Sequence, residues 1–241
     1  MCPACPGWRT KSSCAWTSWR GQADRQRRQP VFSAPVEYRY NEASMYGERQ
    51  RFTMAIRERF VSVEQFQEIV EAPENQDCNL ELVEGVVIEM SKPKLLHGIV
   101  SANLVLEIGT FVRAHDLGYV VTNDAGFILQ RNTYGRDTIR GFDVAFISNV
   151  RAPETLEDAW YEEVPDLAVE VISPGNKASD IHLKVMQLQN AGTRLIWLVY
   201  PETRTVQAYT EDGATILRED DTLSGGDALP GFAPRVGDIF P

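Results

Sequence analysis

The chemistry this sequence offers starts from two acids in unexpected places. In Pro165-Asp166-Leu167-Ala168-Val169-Glu170-Val171-Ile172-Ser173-Pro174, an apolar, β-branched run carries Glu170 where a buried strand should carry Val or Leu. An ionised carboxylate taken out of water costs several kcal/mol even after relaxation, so it needs a cation, a metal or a proton. Upstream, Gly141-Phe142-Asp143-Val144-Ala145-Phe146-Ile147 repeats the design with Asp143 as the intruder, and downstream the run from Ser179 to Gly192 reads as a helix carrying Lys184. Two strand acids and a helix lysine form a candidate site.

Side chains alternate along a strand, so Glu170 shares a face with Ala168 and Ile172, and Asp143 with Ala145 and Ile147. On neighbouring strands the two carboxylates can meet on one face, about 4–6 Å apart. They repel unless a divalent cation lies between them, and an all-oxygen set of Asp, Glu and water suits Mg²⁺ or Mn²⁺ better than Zn²⁺. Each residue also has a plainer reading. A strand-end acid commonly forms an ion pair or caps a helix, Lys184 and Lys177 are of a kind usually solvated, and Glu81 is a hairpin residue with an exposed edge. His97, at the start of a helix, more often caps or packs than catalyses, and His115 and His182 carry no signal. The pairing of Asp143 with Glu170 favours the site reading.

The elements that must position these groups are legible from Arg57 onward. Ser62 and Gln65 make a capping box, Phe66, Ile69 and Val70 line one face of a short helix, and Pro73 ends it. Asn79 to Met90 reads as a hairpin about Glu84-Gly85. Leu96, Ile99, Val100, Leu104, Ile108, Phe111 and Val112 recur at helical spacing, and Gly118 is the expected stop. Strands follow at Tyr119 to Thr122, Gly126 to Gln130 and around Asp143, then an acidic loop from Ser148 to Glu163. The Glu170 strand and the Lys184 helix come next, followed by strands at Arg194 to Tyr200, Thr205 to Thr210 and Ala214 to Arg218. The strand-helix-strand run from Leu167 to Val199 predicts a right-handed parallel crossover within an α/β sheet carrying antiparallel hairpins.

The chain has 241 residues, enough for one large domain or a domain with an appendage. Residues 1–53 hold nine Lys/Arg against four Asp/Glu, and residues 54–241 fifteen against thirty, so +5 and −15 give the net −10. An acidic body argues against long-range steering of a polyanion. Residues 1–55, with Trp8, Trp16, Trp19 and the Arg25 to Arg28 cluster but no sustained period, read as a disordered extension, and 56–241 as the domain. Cys2, Cys5 and Cys14 supply one CxxC with no second pair at zinc spacing, and Cys78 stands alone, which suits a reducing compartment. The longest apolar run, Leu195 to Tyr200, has six residues, and no apolar signal segment opens the chain, so the expectation is a cytoplasmic protein with no membrane partner. A homo-oligomer has no support in the sequence.

Glu81-Leu82-Val83-Glu84-Gly85, Leu96-His97-Gly98, Asp143-Val144-Ala145-Phe146, Val169-Glu170-Val171-Ile172-Ser173-Pro174, Lys184, Ala191-Gly192 and Trp197 to Val206 occur in that order. From about Phe60 to Phe240 the chain resembles the Uma-two family of restriction endonucleases, within the PD-(D/E)XK nuclease superfamily. The resemblance implies a restriction-endonuclease-like core, a mixed β-sheet flanked by α-helices, and acids on adjacent strands that bind Mg²⁺. It makes Asp143 the first motif acid, Glu170 the second, and Glu81 the acid of the family's ELxxG segment. The superfamily's lysine usually lies two residues after the second acid, but that position is Ile172, and the family's lysine matches Lys184 on the following helix. Phe142 stands where a proline is usual, and Tyr200 where an aspartate is common.

The activity implied by the resemblance is hydrolysis of DNA phosphodiester bonds. Asp143, Glu170 and the carbonyl of Val171 are expected to hold Mg²⁺, with Mn²⁺ as a substitute. Lys184 would orient or deprotonate the attacking water, Glu81 would support a second ion, and His97 would position substrate. Two rivals remain open: a catalytically inactive protein that keeps the nuclease fold, and a metal-dependent hydrolase of small phosphate esters.

Overall fold

The structure, a computed structural model, describes residues 60–122, 125–132, 135–157 and 159–241. The expected extension 1–55 lies outside the described residues, apart from which the sequence elements fall largely where the patterns put them. Helix α1 spans Val63–Glu71. It starts at Ser62, whose Oγ accepts from the Gln65 N–H while its own N–H donates to the Gln65 side chain, satisfying two free helix-end donors. After a 3₁₀ turn at Pro73–Asn75 come β1 (Leu80–Val83) and β2 (Val86–Glu89). Glu84 and Gly85 between them have φ of 50° and 80°, the two left-handed residues of a tight hairpin turn.

Helix α2 (Leu95–His115) follows, then β3 (Gly118–Thr122), β4 (Phe127–Gln130), β5 (Thr138–Arg140), β6 (Val144–Ser148), β7 (Leu167–Val171), α3 (Ala178–Ala191), β8 (Leu195–Tyr200), β9 (Thr205–Thr210) and β10 (Gly213–Leu217). The strands form two sheets. The larger has the order β10-β9-β8-β7-β6-β3, and the smaller β2-β1-β5-β4. Only β7 and β8 run parallel, joined by α3 as the crossover, and the other pairs are antiparallel. The fold is therefore mixed α/β with antiparallel hairpins.

Strand alternation divides the large sheet's side chains between two cores. Val144, Phe146, Leu167, Val169, Val171 and Trp197 pack with Val100, Leu104, Ile108 and Val112 of α2. Ala145, Ile147, Ala168, Ile196 and Leu198 pack with Val185 and Leu188 of α3. Each aliphatic side chain so buried contributes about 1.5–3 kcal/mol, which fixes α2 and α3 on opposite faces. A third core joins Val63 and Phe66 of α1 to Leu82, Ile128 and Ile139 of the small sheet.

Four expectations change. Gly118 does not stop α2: Asp116, at φ 51°, caps it with its N–H on the Val112 carbonyl. Gly118 opens β3 instead, where a Cβ would lie 2.0 Å from the Ile147 carbonyl oxygen of β6. The three-residue strand β5 gives no period long enough to read in sequence. Asp143 falls one residue before β6, in a bend rather than within the strand. Finally, α2 is long and apolar enough, by length and composition, to cross a membrane, a property that unbroken apolar runs do not reveal because Gly98, Ser101, Asn103 and Gly109 interrupt them. Its Val100, Leu104, Ile108 and Val112 stripe is the core of the large sheet.

Candidate active site

The site is built where the two sheets approach each other beside α3. Leu82 of β1 faces Ile139 of β5 in an antiparallel register, so Glu81 lies opposite Arg140. Both side chains are almost fully buried, and Arg140 Nη1 donates to Glu81 Oε2 at 2.7 Å. The backbone N–H of Gly141 donates to Glu81 Oε1 at 3.1 Å. The rest of the guanidinium turns to α3, where Nε and Nη2 both donate to Gln187 Oε1 at 3.0 and 2.8 Å. One turn earlier on the same helix face, Lys184 reaches both acids. Its Nζ lies 3.2 Å from Glu81 Oε1 and 2.5 Å from Glu170 Oε1, with the Phe142 ring centroid 5.0 Å away.

Asp143 completes the group from the strand end. Phe142 and Ala145 both face the α3 core, so strict alternation is broken at the Asp143 bend, which corrects the simple face reading. The carboxylate is held at two points. Oδ2 accepts from the Val171 N–H of the neighbouring strand at 2.7 Å, and Oδ1 lies 3.2 Å from His97 Nε2, on the first turn of α2. Ser101 Oγ, one turn further along α2, donates to the His97 carbonyl at 2.9 Å. His97 therefore reaches across from the opposite layer to the first acid.

The electrostatics depend on three carboxylates, Glu81, Asp143 and Glu170, facing two fixed cations, Arg140 and Lys184. Burial pushes Glu81 up, but Lys184, Arg140 and the Gly141 N–H outweigh it and hold the group below the usual carboxylate range. Glu170 goes the other way, to about 7. Burial is the main cause, Asp143 and Glu81 add repulsion, and Lys184 opposes them incompletely. Burial lowers Lys184, yet Glu170 and Glu81 together keep it raised, as an ammonium. Lys184 is the cation beside Glu170 Oε1, but Asp143 and Glu81 repel the same acid, leaving an oxygen-rich group whose negative charge the lysine only partly offsets.

That donor set suits a hard divalent cation. Among the described residues no three His, Cys, Asp or Glu side chains stand together at ligand spacing, so a bound ion would draw on Asp143 and Glu170, the main chain at Val171, and water. Mg²⁺ commonly binds through one or two carboxylates and keeps several waters. Glu81 is differently placed, since both its oxygens are already engaged by Arg140, Gly141 and Lys184.

The structure thus gathers Glu81, Asp143, Glu170, Val171, Lys184 and His97. Sequence reading missed Arg140 and Gln187. Arg140 lies in a strand too short to show a period, and only the unexplained acid at Glu81, which requires a cation, hinted that such a partner exists.

The architecture is that of a nuclease fold. A crystal structure described as "a putative nuclease belonging to DUF820", from Anabaena variabilis, superposes with a TM-score of 0.64 at 18% identity, over 75% of this chain and 97% of that one. The profile of the Uma2 family, described as "Putative restriction endonuclease", matches residues 63–237, and the chain belongs to that family. No curated protein matches it.

Proposed function

We propose that the chain is a Mg²⁺-dependent endonuclease that hydrolyses DNA phosphodiester bonds, with Mn²⁺ able to replace Mg²⁺. The observation that carries this reading is the Lys184 ammonium on Glu170, 2.5 Å away, beside Asp143 in a family described by restriction activity. Asp143, Glu170 and the Val171 carbonyl are the groups that would hold the ion. When bound, a divalent cation polarises the phosphoryl oxygen and makes a water easier to deprotonate.

The remaining work falls to the protein's own side chains. Lys184 Nζ, kept protonated by Glu170 and Glu81, donates to the incoming water or to a non-bridging phosphate oxygen and offsets the charge that builds in the transition state. Glu81, fixed by Arg140 and Gly141, aims the lysine and does not compete for the reacting phosphate. His97 orients Asp143 through the 3.2 Å contact, and lies where it can also meet substrate. Burial of the network lowers its dielectric surroundings, so each of these charges acts more strongly than in water.

The closed ion-pair network also favours a second reading, a nuclease fold retained without catalysis, because Lys184 already offsets part of the acidic charge. Nicking of supercoiled plasmid across a Mg²⁺ titration, with Glu170→Ala alongside, separates the two. Cleavage by the wild type that requires the metal and is lost in Glu170→Ala supports the endonuclease. No cleavage with either Mg²⁺ or Mn²⁺ selects the inactive fold, and hydrolysis of nucleotides alone selects a small-ester hydrolase.

A further inference from the structure

The lysines of the described residues are Lys92, Lys94, Lys177 and Lys184, and all four belong to or lead into the two helical segments that deliver side chains to the site. Lys94 is the N-cap of α2, one turn before His97, which contacts Asp143, and Lys92 precedes it by two residues. Lys177 is the N-cap of α3, two turns before Lys184, which contacts Glu170. The helices lie on opposite faces of the large sheet. Their first turns therefore bracket the ends of β6 and β7 that carry the two acids, one from each side.

These lysines are unusual in two further respects. Lysine is a poor N-cap: it has no acceptor for the free N–H groups and its charge opposes the positive end of the helix dipole. Neither helix has a side-chain cap, α2 has no acid in its first turn, and α3 has one, Asp180. Moreover Lys92, Lys94 and Lys177 are exposed and join no ion pair among the described residues; Arg131, Arg140, Arg151, Arg194, Arg204 and Arg235 each pair with a carboxylate, and the exposed Arg113, Arg136 and Arg218, which do not, lie on other segments or at the far end of α2. In a body with fifteen basic against thirty acidic residues, uncommitted lysine charge is concentrated at the one place where a polyanion would have to approach.

We propose that Lys92 and Lys94 on one side, and Lys177 on the other, hold the phosphates flanking the scissile bond, so that a DNA strand crosses the carboxyl end of β7 between the first turns of α2 and α3. This rests on the reading of the site as a phosphodiesterase. It also resolves the charge problem, because binding needs only a local lysine track and not a basic protein.

The test is fluorescence anisotropy of a labelled DNA duplex against salt, in EDTA so that no turnover occurs. Each phosphate contact adds about 0.9 to the slope of log K against log salt. Replacing Lys92, Lys94 and Lys177 together with Gln should therefore reduce the slope by about 2.7 and weaken binding at about 50 mM salt by tenfold or more. The same three positions changed to Arg should restore both, and Arg113→Gln, at the far end of α2, should alter neither. If the wild type binds duplex and the triple Gln variant keeps its slope and affinity, the lysine track is wrong while the nuclease reading stands. If the wild type neither binds duplex nor cleaves it with Mg²⁺, the nuclease reading falls and the track falls with it.

Discussion

Lys184 Nζ lies 2.5 Å from Glu170 Oε1, so the second strand acid is met by a cation from the helix that succeeds it and not from its own strand. Position 172, where a strand lysine would stand, is Ile172, packed against the α3 core. The helix side chain takes the place of the strand side chain because the crossover lays α3 over the face that carries Glu170. The same ammonium also touches Glu81, which ties the small sheet to the large one through a single charge.

Removing that charge should separate catalysis from metal binding. Lys184→Ala is expected to abolish plasmid cleavage while Mg²⁺ still binds by calorimetry, since an ammonium is a donor and not a ligand. Without metal it should also lose up to about 3–5 kcal/mol, because two largely buried carboxylates lose a partner, and Mg²⁺ should recover part of that loss. Full cleavage by Lys184→Ala would end the assignment and make Lys177 the next lysine to test. Glu170→Gln should instead weaken Mg²⁺ binding and cleavage together.

Arg140 should prove as costly to lose as any core residue. Arg140→Met leaves buried Glu81 with Lys184 as its remaining cation and releases Gln187, so a loss of about 3–5 kcal/mol is expected in urea unfolding. Arg140→Lys should recover part of this but not the double donation to Gln187, which needs the planar guanidinium. A variant within about 0.5 kcal/mol of wild type would show that the network contributes little to the fold.

Asp166 sets an acid limit on stability away from the site. It is fully buried, accepts from the Ser148 N–H at 2.6 Å and from Arg194 Nε at 3.0 Å, and pairs with Arg151. Burial alone would raise the group, but the Ser148 hydrogen bonds and Arg194 outweigh it and hold it below its ordinary value. An acid depressed in the folded state contributes stability that is fully present above the unfolded value, about 3.9, and is lost as pH falls through the folded value. The stability gap between wild type and Asp166→Asn should therefore be constant near neutrality and shrink below about pH 4. A gap that does not change with pH would remove the titration account.

Gly118 should tolerate substitution worse than another glycine of positive φ. In Gly118→Ala the added Cβ would meet the Ile147 carbonyl oxygen at 2.0 Å, whereas at Gly213, φ 129°, nothing lies within 4 Å. Both changes carry backbone strain of about 1–3 kcal/mol, so the excess loss in Gly118→Ala measures the contact of β3 with β6. Equal thermal shifts for the two variants would mean that this edge yields.

The local code of the chain was open to reading: the capping box at Ser62, the two-residue turn at Glu84-Gly85, the helical period of α2 and the parallel crossover from Leu167 to Val199. Each depends on residues close in sequence, where side-chain period and turn chemistry act directly. The acids Asp143 and Glu170 were legible for the same reason, as charges breaking apolar strand patterns, with Lys184 on the helix that follows; the family resemblance added roles for Glu81 and His97 and matched Lys184 to the family's lysine. Tertiary structure alone decided which cations these acids meet. The Glu81 to Arg140 pair depends on the register of β1 with β5, the Lys184 contacts on how α3 lies over the sheet, and the His97 contact on a helix packed against the opposite face. Those placements come from burying three separate cores at once, a condition on the whole chain that no local pattern of residues encodes.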